Sequence, residues 1–204
     1  MSDPTTPQAR AADAAAVVHW ADPARGLAFR GWLESVAAAH HLDPDSVRPA
    51  SADASFRRYL RVDARGGSLI VMDAPPAKED CRPFVQVAQL MAEAGLRVPR
   101  VLEWDEPQGF MLLDDLGRQT MIEVVDPERP AANQDLYLRA VDALVAWQRA
   151  SRPGVLPPYD EALLARELAL FPDWYLARHR GIAVEGKVRE TLDAMFRLIV
   201  QRNL

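Results

Sequence analysis

Two pairs of β-rich runs, each closed by a short glycine-containing turn and separated by one amphipathic helix, constrain the fold of this chain more than any other feature. SADASFRRYLRV and SLIVMDAPP are joined by DARGG, whose Gly66-Gly67 pair suits a tight reversal between antiparallel strands. Pro75 and Pro76 close the second run, because proline has no N–H to give to a sheet ladder. VPRVLEWD and GFMLLDDLG flank EPQG, where Pro107 suits the second turn position and Gly109 the fourth. Between the hairpins Phe84, Val87, Ala88, Met91 and Ala94 recur at helical spacing over Cys81 to Ala94. Asp80 is placed to cap that helix, Pro83 falls in its tolerant first turn, and Gly95 ends it.

Helical periodicity also precedes and follows the hairpins. Leu27, Trp32, Leu33, Val36 and Ala37 make RGLAFRGWLESVAAAHH a packed helix, which LDPD is expected to break. After Gly117 the spacing is helical throughout. Tyr137, Ala140, Val141, Leu144 and Val145 form one stripe, and Val188, Leu192, Met195, Phe196 and Ile199 form another. DEALLARELALF reads as a helix between them that Pro172 is expected to stop. A sheet-forming half ahead of an all-helical half predicts an α+β fold of two lobes, residues 25–115 and 116–204. Residues 1–24, rich in Ala, Pro, Thr and Asp, read as a partly disordered tail.

Composition removes several function classes. The net charge is −5 and the 24 basic residues are spread along the chain, so no nucleic-acid partner is expected. No apolar run reaches the roughly 20 residues of a membrane span, and the first residues lack the basic start of an export signal, so a cytoplasmic address without membrane contact is expected. Cys81 is the single cysteine, and the adjacent His40 and His41 do not share a helix face, so they read as helix-surface residues and no metal site is expected.

Phosphate handling is the chemistry to weigh. A loop covering a nucleotide needs small residues at its tip, so that backbone N–H groups approach the phosphates, and cations beside it. Ser51, Ala52, Asp53, Ala54 and Ser55 supply such a tip and Arg57 and Arg58 the charge, although taken alone an Arg-Arg pair on a solvated strand face is the commoner account of such residues. The P-loop pattern GxxxxGK[ST] is absent.

SADASFRRYLRV, LIVMDAPP, EDCRPFVQVAQLMAEAGLRVP, GFMLLDDLG and LPPYDEALLARELALFPDWYL, in that order, resemble the front portion of the aminoglycoside-phosphotransferase and choline-kinase-like family. The resemblance runs from about residue 26 to the last residue, and it is strongest to the branch of bacterial kinases that phosphorylate N-acetylmuramate and N-acetylglucosamine at the anomeric position in cell-wall recycling. It implies a protein-kinase-like fold, with ATP and Mg in a cleft between a five-stranded lobe and a helical lobe. It also implies a cell-wall sugar and ATP as small-molecule partners. Adenine would meet backbone at Leu113, Asp114, Asp115 and Leu116; Asp115 and Gly117 also suit a cap that turns the chain out of the strand. The family's strand lysine is missing, Met72 standing in that strand, and Glu93 lies at the far end of the following helix. Arg57, Arg58 and Lys78 are the nearby cations, with the two arginines favoured. The nucleotide set is therefore Ser55, Arg57, Arg58, Met72, Asp114, Asp115 and Leu116.

For the sugar, Glu167 and Asp173 offer acceptors for hydroxyls and Trp174 a face for the ring's C–H surface. The competing account places Phe171, Trp174 and Tyr175 in a core with Asp173 as a helix cap. The family's catalytic HxDxxxxN loop and later metal-binding Asp are not among these residues; His179-Arg180-Gly181 carries Gly where the Asp should stand. The expectation is an N-terminal portion of a sugar kinase that transfers phosphate hardly at all by itself. Two alternatives are a non-catalytic binding module, for which an uncovered Leu192, Phe196 and Ile199 face implies a partner or self-association, and a kinase for aminoglycosides or other small alcohols.

Overall fold

The computed structural model describes residues 18–52 and 56–204. Helix α1 (Pro23–His40) is followed by strands β1 (Leu42–Ala52), β2 (Arg58–Ala64) and β3 (Gly67–Asp73), helix α2 (Arg82–Glu93), and strands β4 (Val101–Asp105) and β5 (Phe110–Asp114). The later elements are a short helix α3 (Met121–Val124), a 3-10 turn (Pro130–Asn133), α4 (Gln134–Arg149), α5 (Glu161–Leu170), a π-helical stretch (Phe171–His179) and α6 (Gly186–Asn203). The chain divides into two compact units, one ending at Ala150 and the other running from Ser151 to Leu204.

Five antiparallel strands form one sheet in the order β1-β2-β3-β5-β4. Successive side chains on a strand point to opposite faces, and here both faces are covered. On one, α1 lays Phe29, Trp32 and Leu33 against Leu60, Val62, Val71, Phe110 and Leu112. On the other, Met72, Ala74, Cys81, Met111 and Leu113 pack with Tyr59, Ile70, Val101, Trp104 and, from α2, Phe84 and Val85. Strand β5 is therefore an unbroken apolar run, FMLL, buried on both sides. Its Phe110 meets Phe29 edge-on, Trp32 at a tilt, and the Arg25 guanidinium 4.5 Å above its ring.

Both expected hairpins form, but the first begins elsewhere. SADASFRRYLRV is not one strand: Ser51 and Ala52 end β1, and β2 begins at Arg58. Strand β1 is unexpected from LDPD because Pro44 and Pro49 argue against a strand. It is tolerated because β1 lies at the sheet edge with register shifts after Asp43 and Pro49, where missing N–H groups leave no neighbour unsatisfied. The fold also starts before Arg25. Asp22 caps α1 by accepting from the Ala24 N–H, and Trp20 packs on Phe29. The inward stripe of α1 is Phe29, Trp32, Leu33 and Val36, and Leu27 is 76% exposed, because it falls two residues off that i, i+3, i+4, i+7 face. Residues 1–17 of the expected tail lie outside the described residues.

Asp80 acts at the start of α2 by accepting from the Arg82 N–H at 3.0 Å, and Gly95 ends the helical region with φ of 76°. The EPQG turn closes with Gly109 N–H on the Asp105 carbonyl at 2.7 Å. Gly109 has φ of 72°, and any Cβ there would collide with the Ala74 carbonyl, so only glycine fits. Pro172 does not stop the chain. It cannot donate to the Leu168 carbonyl, which Phe171 N–H takes instead, and the helix continues as a wider π-type winding to His179. No helix among the described residues is long and apolar enough to cross a membrane.

Phe110→Ala should lower the unfolding free energy by about 3–5 kcal/mol, as deletion of a fully buried aromatic ring does, read as a fall in the urea midpoint with unchanged slope.

Candidate functional site

The chain leaves the sheet at Asp114, and Asp115 fixes how it leaves. The Asp115 carboxylate accepts from Arg61 Nε at 2.6 Å and Nη2 at 3.2 Å, from the Ser68 hydroxyl at 2.7 Å, and from the Gly117 N–H at 2.9 Å. Arg61 also donates to the Gly117 carbonyl at 3.3 Å. With side chains only 7% and 9% exposed, this is a nearly buried ion pair with its remaining capacity used by neighbours. Burial alone would push the Asp115 carboxyl up. Arg61, Ser68 and the Gly117 N–H outweigh it and hold the group below the usual carboxylate range. The cap and the connection are thus one object: the carboxylate turns the backbone and sets where Leu116 and the Asp114 carbonyl stand. Asp114 itself is held low by the Arg100 guanidinium, which donates to both its oxygens.

Beside this connection lies an open concavity of about 450 Å³, lined by Ser68, Leu69, the end of α2 at Ala92, Leu96 to Val98, Arg100, and Asp114 to Leu116. It lies within the first unit and brings Asp114, Asp115 and Leu116 of the expected nucleotide set together.

The other nucleotide candidates are sorted by the alternation of β2. Arg58 lies directly opposite Asp73 in the β2–β3 register and on the α1 face. It donates to Asp73 at 3.0 Å and to the His19 carbonyl, and stacks over Trp20 at 4.1 Å. Arg25 reaches the same buried carboxylate at 2.8 Å, so two cations converge on Asp73. Arg57 goes the other way, its Nε 3.1 Å from Glu79. Met72 is fully buried in the α2-side core. Ser55 lies outside the described residues. Cys81 packs in the α2-side core with Met72, and burial pushes its thiol up.

The sugar candidates all lie in the Ser151–Leu204 unit. Glu167 is exposed on α5, with Arg166 at 3.8 Å. Asp173 is exposed in the first turn of the π-helical stretch and caps nothing, since that stretch begins from Leu170. Trp174 is 55% exposed and carries Arg178 4.0 Å over its ring. Phe171, Tyr175 and His179 stack at 5.6 Å spacing along an adjacent face. These aromatic rings are half exposed in this chain and do not form its core. Among the described residues no group of three or more His, Cys, Asp or Glu is placed to hold a metal ion.

Sequence reasoning missed Arg61, Ser68, Asp73 and Glu79. A signal existed for Arg61, a charge set between Leu60 and Val62 in a strand whose neighbours are buried, since such a charge requires a partner. Its identity was not readable, because Asp115 lies 54 residues away.

Asp115→Ala should cost about 3–5 kcal/mol at neutral pH by leaving Arg61 buried and unpaired, and adding Arg61→Leu should recover part of that loss. A depressed carboxyl stabilises fully above its unfolded value of about 4 and stops doing so as pH falls through its lower native value. The gap between native and variant unfolding free energies should therefore narrow below about pH 4; an undiminished gap would show that the ionised carboxylate is not what matters.

Residues 46–202 match the phosphotransferase enzyme family called APH. The chain is 54% identical over 157 residues to the N-acetylmuramate/N-acetylglucosamine kinase of Pseudomonas aeruginosa, a match covering 77% of this chain and 44% of that protein. It is 42% identical over 160 residues to the protein of that name from Pseudomonas putida, covering 78% and 46%, and 38% identical over 168 residues to the one from Neisseria meningitidis, covering 81% and 49%. The chain therefore spans about half the length of the curated relatives it matches. A family match running from within β1 to the end of α6, on a five-stranded antiparallel sheet followed by helices, makes this chain a member of the APH phosphotransferase enzyme family, with the kinase-like sheet lobe at its N-terminal side.

Proposed function

We propose that this chain is the nucleotide-holding portion of an ATP-dependent sugar kinase that phosphorylates N-acetylmuramate or N-acetylglucosamine at the anomeric hydroxyl, in cell-wall recycling. The observation that carries the reading is the conjunction of relatives bearing that kinase name with a sheet whose exit is locked by Asp115 beside an open concavity. Backbone at Asp114 to Leu116 is the adenine edge: a short extended connection offers N–H and C=O groups in plane, and the concavity gives a flat base room. Residues 25–115 serve as the nucleotide-covering lobe and 116–204 as the first helices of the second.

The sugar is assigned to the exposed end of α5 and the π-helical stretch after it. Glu167 and Asp173 accept from hydroxyls, and Trp174 offers the half-exposed face on which a pyranose ring packs. Neutral N-acetyl sugars and a sugar acid fit this mixed surface, where Arg178 sits over Trp174, better than a polycation would. Magnesium, when bound, neutralises charge on the transferring phosphates; its ligands and the catalytic base are not assigned to any residue of this chain.

A thermal-shift titration tests the reading without turnover. ATP and N-acetylmuramate should each raise the unfolding temperature, with stabilisation of about 2.7 kcal/mol at a hundredfold excess over the dissociation constant. Trp174→Ala should abolish the response to the sugar and retain that to ATP. If neither ligand stabilises the chain, the proposal fails.

A further inference from the structure

The adjacent Arg57 and Arg58 at the start of β2 do different work, and the difference bears on the phosphate end of the nucleotide reading above, on which this inference rests. Strand β2 sends Leu60 and Val62 to the α1 face and Tyr59 and Arg61 to the α2 face. Arg58 follows the first set. Its guanidinium is held between Asp73, the His19 carbonyl and the Trp20 ring, on the side of the sheet away from Asp115. Arg57 follows the second set, on the face that carries Arg61, Met72 and the Asp115 connection.

Glu79 decides where Arg57 points. Its carboxylate accepts from Arg57 Nε at 3.1 Å and from the Phe56 N–H at 3.0 Å, so one group ties both side chain and backbone at the root of β2. Lys78 and Glu79 both donate backbone N–H to the Pro75 carbonyl, in a turn that holds the carboxylate between β3 and α2. Lys78 Nζ lies 4.5 Å over the Phe56 ring. Glu79 is 11% exposed and Arg57 27%, a shielded acid holding a reachable base. A guanidinium is a planar fork of five donors, and engaging its Nε edge sets the plane of the rest. Strand β3 supplies no cation to this face, since Met72 occupies it as buried core.

We propose that Arg57, oriented by Glu79, is the cation that meets the nucleotide's phosphates, and that Arg58 is a structural residue of the α1 face. Arg57 binds, and Glu79 is a positioning residue that joins the sheet to the segment leading into α2.

The test compares dissociation constants of ATP and adenosine for the 204-residue chain by NMR titration, because their ratio isolates what the phosphates contribute. Arg57→Gln should shrink the ATP preference about tenfold or more, the scale of a charge-assisted hydrogen bond, with adenosine binding retained. Glu79→Gln should shrink it less and likewise leave adenosine alone. In the native chain, the Arg57 Nε–H resonance should move on addition of ATP and stay still with adenosine, a readout independent of any variant's folding. A preserved preference in Arg57→Gln, or an equal loss in Arg58→Lys, would overturn the assignment while leaving the nucleotide reading intact. Absence of adenosine binding in the native chain would overturn both.

Discussion

The placement of every charged group in the sheet depends on the two-residue alternation of strands that are buried on both faces. Strands β3 and β5 face each other across the register Val71 to Leu112 and Met72 to Met111, and each pair belongs to a different core. A slip of one residue would exchange the two faces and take Asp73 away from Arg25 and Arg58, which lie on the α1 side. That strict register is what separates Arg57 from Arg58 and brings Arg61 and Ser68 beneath Asp115.

Two charged clusters sit at opposite faces of the sheet and work differently. On the α1 face Arg25 and Arg58 share one buried carboxylate and lie against Phe110 and Trp20, so the Asp73 charge is met from two sides and α1 is tied to the strands. On the α2 face Arg61 and Asp115 form a pair whose spare capacity goes to backbone and a hydroxyl, which ties down the departing chain beside an open concavity. The first arrangement stabilises an anchor. The second fixes the course of the backbone from Asp114 to Gly117, the segment on which the proposed nucleotide site relies.

The hairpins, the α2 helix and the helical second half were readable from spacing because they are local: turn residues and three- or four-residue stripes report backbone geometry within a dozen residues. Strand β1 was not, since Pro44 and Pro49 speak against a strand everywhere except at a bulged edge, and being an edge is a property of the whole sheet. The π-helical continuation past Pro172 escaped notice for a related reason, because loss of one N–H can either end a helix or rewind it.

The amino-acid sequence alone determined the two hairpins, the helix between them and the helical second half, the family resemblance, the want of a lysine in β3, and the candidate residues at Asp114 to Leu116. Tertiary structure alone decided which partner each charge takes: Arg61 with Asp115 across 54 residues, Arg58 with Asp73 across 15, Arg57 with Glu79 across 22. The physical reason is that periodicity names the face on which a side chain lies, whereas an ion pair requires two segments to arrive within about 3 Å, and only the folded sheet brings them there.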